Sequence, residues 1–255
     1  MATTQAEKAA KIDAMMEQAS KALVARDYFG AERLASGALR RARQEQDFER
    51  MARISLPLQE ARRFKRDMAI DTGKVTVVDG EIPQGRSLTA GCYLIVPPRV
   101  GVDGRMLREA ADEKRVPVVV VVREPPTRDG QWPIVTVGPV TVRTKMTPPK
   151  PAPEKKARAG AKGRVKVENG PAAAGGRPSP EWFVHACEQL GDEAIGQIAA
   201  TLPAASRVDA LLDRLEAHPN HEKLHQRLAE ACREALLEPA RKRKPGVDEI
   251  RDDEF

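Results

Sequence analysis

The chain has 255 residues, room for one to three units at roughly 100–200 residues each. Aromatic residues are only 4%, which argues against base-stacking platforms and large aromatic cores, and no apolar run approaches the roughly 18–20 residues of a membrane span. The net charge of +6 is uneven: residues 147–178 hold eight basic and two acidic residues, whereas 179–238 hold five basic and eleven acidic ones.

The opening segment, residues 1–71, predicts three helices. Thr4 and Glu7 stand as a capping box before Ile12, Met15, Met16, Ala19 and Leu23 at helical spacing. Asp27 and Asp47 stand as caps for the next two helices, and Pro57 is expected to kink the third. Tyr28, Ala31, Ala38 and Leu39 fall where a tetratricopeptide hairpin places its aromatic and small packing residues. The stretch from Ala22 through Leu39 therefore resembles one such repeat, although Arg26 occupies the position of its inter-helix glycine. The resemblance implies a helical hairpin of the kind found in protein-interaction scaffolds.

Residues 72–146 change character. Residues 74–78 and 92–96 predict strands, and Asp103 stands as a cap for a helix ending at Pro117. The β-branched run 118–122 fits a strand buried on both faces. Strand, helix and strand make a βαβ unit, and residues 134–137 and 140–144 predict two edge strands. The result is a small α/β domain with a mixed sheet. Residues 147–178, rich in Pro, Ala, Gly and Lys, are expected to form a disordered basic linker. Residues 179–238 predict a bundle of three or four short helices, with a break at Gly191 and caps at Ser206 and Asn220; 239–255 read as a disordered charged tail. The fold class is α+β, multidomain.

Two patterns carry candidate chemistry. The first is the mouth of the βαβ unit, because open α/β sheets bind ligands beyond the carboxyl ends of their parallel strands. Arg99, Asp103, Gly104, Arg105, Arg123 and Glu124 are the candidate ligand-binding residues there, with a helix N-terminus suited to an anion. The second is His221, Glu222 and His225, which match the H-E-x-x-H pattern of zinc peptidases. Lys223 and Arg227 stand where that family carries uncharged residues, and no third histidine follows. The stripe shared with Leu224, Leu228 and Cys232 instead predicts a histidine at the edge of a helical core, so no metal is assigned.

Cys92, Cys187 and Cys232 form an odd set without CxxC spacing, consistent with reduced thiols rather than a disulfide framework. No apolar stretch at the N-terminus suggests a secretory signal, so a cytoplasmic location is expected. The sequence favours a non-catalytic protein-interaction or adaptor protein, with no cofactor and a protein partner. An α/β anion-binding sensor or enzyme is the alternative, and the zinc peptidase ranks last. The linker lysines and arginines admit nucleic acid as a less favoured partner.

Overall fold

The computed structural model describes residues 4–150, 176 and 178–238. The linker and tail assignments at 151–175 and 239–255 lie outside the described residues.

Three helices open the chain: α1 (Gln5–Val24), α2 (Tyr28–Gln44) and α3 (Phe48–Ile70). Thr4 caps α1 by accepting from the Glu7 amide while Glu7 returns a bond to the Thr4 amide. The two connections that follow repeat one device. Arg26 and Gln46 take positive φ angles of 58° and 54°. Asp27 and Asp47 then accept the amides of Gly30 and Arg50 at 2.8 and 3.0 Å. A left-handed residue reverses the chain, and the aspartate satisfies an otherwise orphaned helix N–H. Helix α3 runs on through Pro57, which fills an interior position rather than ending the helix. Tyr28 stacks on Phe64 of α3 with ring centroids 4.6 Å apart.

The sheet has five strands in sequence order: β1 (Val75–Val78), β2 (Gly91–Ile95), β3 (Val118–Arg123), β4 (Trp132–Val137) and β5 (Thr141–Met146). The first three are parallel and the last two antiparallel, so the sheet is mixed. Helix α4 (Gly101–Glu113) joins β2 to β3. It starts two residues before the expected cap. Asp103 sits inside the first turn, where its carboxylate accepts the Val100 amide at 2.8 Å. It also ends at Glu113, with Arg115 at φ 57°, ahead of Pro117. Of the two strands expected at an edge, only β5 is one; β4 lies between β3 and β5.

Each sheet face carries a separate apolar layer, because successive side chains along a strand alternate. On one face Tyr93, Ile95, Val122 and Val135 pack with Leu107 and Ala111 of α4. On the other, Cys92, Leu94, Val119, Val121 and Ile134 join one core with the remaining helices. These include α5 (Pro180–Gly196), α6 (Ala204–Ala217) and α7 (Glu222–Ala235). The helices on either side of the linker therefore share a core through the sheet. Met51, Ile54 and Leu58 of α3 are at most 1% exposed in it, each worth about 1.5–3 kcal/mol of burial. At the linker boundary the Gly176 amide donates to Pro149 O at 2.8 Å, so the chain returns beside the point where it departs.

The C-terminal helices differ from expectation at their ends and middle. Helix α5 is continuous through Gly191; a Cβ there would fall 2.0 Å from the His221 ring, so the glycine makes room for that side chain and does not break the helix. Helix α6 begins at Ala204, whose amide donates to Glu238, so Ser206 lies inside the first turn rather than at the cap. His221, rather than Asn220, is the cap residue of α7. The α6–α7 corner reaches the sheet: Thr136 of β4 donates to Ala217 O at 2.5 Å, and a Cβ on Gly138 would fall 2.6 Å from Ala217 Cα. Among the described residues, no helix is long and apolar enough to cross a membrane.

Candidate functional site

Strands β2 and β3 do open onto a cleft at their carboxyl ends. It has a volume of about 400 Å³ and is walled by Pro97, Pro98, Val100, Pro125 and Pro133, with Arg99 and Glu124 at its polar points. The Pro97–Pro98 bond is cis.

The six residues assigned to this mouth from sequence are only partly gathered here. Arg99 lines the cleft, but its Nε donates to Gly80 O at 2.7 Å and its Nη1 lies 3.7 Å from Asp103. Asp103 is occupied by the Val100 amide. Glu124 accepts from Arg143 Nε at 3.0 Å. Gly104 serves packing: a Cβ there would fall 2.3 Å from Val122 Cγ2, so its absence lets α4 lie close to β3. Arg123 alternates to the opposite sheet face, is 5% exposed, and lies 4.7 Å over the Trp132 ring. Burial lowers the pKa of its guanidinium, and its Nε has no acceptor among the described residues. Arg105 pairs with Glu109 at 2.7 Å and borders a different cavity. The arginines therefore do not converge, and the cleft is apolar with its charges already paired. Val100, which lines the cleft, is 59% exposed, and on the helix that follows Val102 and Met106, one turn apart, are 51% and 57% exposed.

Sequence inspection missed a second cavity, of about 460 Å³, between α2, α3, α4 and α6. Arg40 and Arg43 of α2, Arg62 of α3, and Arg105 and Arg108 of α4 border it. Beneath them Glu32 accepts from Arg62 Nε at 2.8 Å and from Lys65 at 2.5 Å, and Lys65 also bonds Asp112 at 2.5 Å. Burial works to raise the Glu32 carboxyl, but Arg62 and Lys65 outweigh it and hold it down at about 2. Burial raises the Asp112 carboxyl against the pull of Lys65. Arg62 Nη1 is sealed from solvent without an acceptor, a penalty of about 1–3 kcal/mol for a buried donor. The two arginine pairs at i,i+3 were visible in the sequence; their convergence depends on helices far apart in the chain.

The three residues of the H-E-x-x-H pattern serve three different neighbours. His221 is fully buried, with Nε2 3.3 Å from Glu188 and 3.6 Å from Asp192. Burial lowers its pKa, ahead of the opposing effect of those carboxylates. Glu222 takes Arg66 of α3 at 2.8 Å. His225 Nε2 faces Pro219 O at 3.1 Å, and burial brings its pKa down to about 3. Among the described residues no group of three His, Cys, Asp or Glu side chains is placed to hold a metal. The cysteines are likewise interior: burial raises the thiol of Cys92 to about 11 and those of Cys187 and Cys232 to about 12.

Compared with known proteins, the chain matches no family model, no curated protein and no solved structure.

Proposed function

We propose that the protein is a non-catalytic interaction protein that holds an extended, uncharged, apolar segment of a partner protein in the cleft at the ends of β2 and β3. The observation that carries this is the proline-walled cleft itself, lined by the half-exposed Val100 at the start of α4, the helix that also exposes Val102 and Met106. Charge selects the occupant. Arg99 and Glu124 are already paired with Asp103 and Arg143, so a charged segment gains little there and loses hydration, whereas an apolar one buries the prolines and the exposed apolar side chains at the start of α4. A small anion fits this cleft less well, because only one of the three arginines assigned to it reaches it.

The N-terminal hairpin, similar to a tetratricopeptide repeat, supports the same class, since such repeats serve as binding scaffolds. Three interior, unpaired thiols agree with a cytoplasmic setting.

The test is recovery of partners on the immobilised full chain from native extract. A protein retained by wild type and by Leu56→Asp, but lost with Val102→Asp and Met106→Asp, supports the proposal. The same set retained by all four chains contradicts it. Leu56 is a suitable comparison because it is 65% exposed on α3, a different helix.

A further inference from the structure

We propose that the cavity between α2, α3, α4 and α6 is a separate binding site, for a small molecule that carries a phosphate monoester. Helices α2 and α4 each present two arginines one turn apart, Arg40 with Arg43 and Arg105 with Arg108, and α3 adds Arg62.

Two of these five cations are committed. Arg43 pairs with Asp209 at 3.1 Å, and Arg105 with Glu109. Three retain donors. Arg62 spends Nε on Glu32 but leaves Nη1 buried and unsatisfied. Arg108 reaches only the backbone carbonyls of Ala217 and Glu216, at 3.2 and 3.4 Å. Those distances are long for a guanidinium, whose bonds to an anion run about 2.7–2.9 Å. Arg40 has no acidic partner among the described residues and is exposed at the rim.

Glu32 meets only the Nε side of Arg62 and is shared with Lys65, which also holds Asp112, and Glu109 belongs to Arg105. Arg40, Arg62 and Arg108 line one cavity, and an anion with several oxygens suits the N–H groups they have left. A phosphate presents several such oxygens and takes guanidinium forks two bonds at a time, as a single carboxylate does not when three arginines converge.

Leu39, Leu58, Leu212 and Leu215 form the apolar part of the wall, which suits a ligand whose body is apolar or a flat ring. The volume of about 460 Å³ lies in the ordinary range for small-molecule sites. This site stands apart from the strand-end cleft, so either assignment can fail without the other.

The experiment is calorimetric titration of the full chain with phenyl phosphate, inorganic phosphate and benzoate at matched ionic strength. Phenyl phosphate is expected to bind saturably and at least about tenfold more tightly than benzoate, since a carboxylate leaves one arginine unmet. Arg40→Gln, at an exposed and unpaired position, is expected to weaken phenyl phosphate about tenfold with thermal stability unchanged. Arg62→Gln is expected to remove saturable binding. Arg143→Gln, which disturbs only the Glu124 pair, should bind as wild type does. Absence of saturable binding overturns the proposal, as does equal affinity in Arg40→Gln and wild type. Benzoate binding as tightly as phenyl phosphate overturns the phosphate assignment.

Discussion

The Glu222 carboxylate of α7 accepts a hydrogen bond from Arg66 Nη2 of α3 at 2.8 Å. The residue that stands where a zinc peptidase carries its base is thus a docking contact between the two ends of the chain. Arg66 is 14% exposed on its side chain and Glu222 34%. Glu222 and Asp67 raise the pKa of Arg66 against the lowering effect of burial. A double-mutant cycle with Arg66→Met and Glu222→Gln should give a coupling of about 1 kcal/mol in urea unfolding. Zero coupling would show that the pair does not hold α7 on α3.

Gly191 offers a sharper steric test. Its absent side chain is the space occupied by the His221 ring, 2.0 Å from where a Cβ would lie, while Gly196 of the same helix has nothing within 4 Å. Gly191→Ala should cost about 2–3 kcal/mol despite the better helix propensity of alanine. Gly196→Ala should be neutral or stabilising by up to about 1 kcal/mol. Equal unfolding midpoints for the two variants would contradict the placement of α7 against α5.

Acid should destabilise the protein before its carboxylates titrate. Burial depresses the pKa of both His218 and His225 to about 3, whereas an unfolded histidine titrates near 6.5. Below about pH 6.5 the unfolded chain binds protons that the folded chain refuses. Stability is therefore full above that pH and falls as pH drops towards 3. From pH 7 to pH 5 the loss is roughly 2 kcal/mol for each histidine. Urea midpoints measured across that interval should decline steadily, and His225→Leu should flatten the slope. A level profile would mean that the rings are not held neutral inside the fold.

Thiol chemistry should be silent in the native state. Cys92, Cys187 and Cys232 are all buried, and burial raises each thiol well above neutral pH. An aromatic disulfide reagent at pH 8 should label none of them in minutes, and all three after denaturation. Rapid labelling of one native thiol would place that cysteine outside the core.

The elements legible in the sequence were those fixed by local chemistry. The capping box at Thr4, the aspartate caps at Asp27 and Asp47, and the valine run that became β3 each state their own structure. The mixed sheet and the βαβ unit followed from them. What sequence inspection missed depends on contacts between distant segments. Gly191 reads as a helix break until His221 is known to fill its space. Arg105 and Arg123 flank the βαβ mouth in sequence, yet the start of α4 and the alternation along β3 send them to different sides. The arginine cavity needs α2, α3, α4 and α6 together, and no short window of the chain contains them.

The most direct measurement of the central claim is photo-crosslinking from position 102 of the full chain in native cells, with position 56 as the comparison. The proposed function predicts one dominant protein adduct from position 102, mapping to an uncharged apolar segment of the partner and absent from position 56. No adduct at position 102, or the same adducts from both positions, would contradict it.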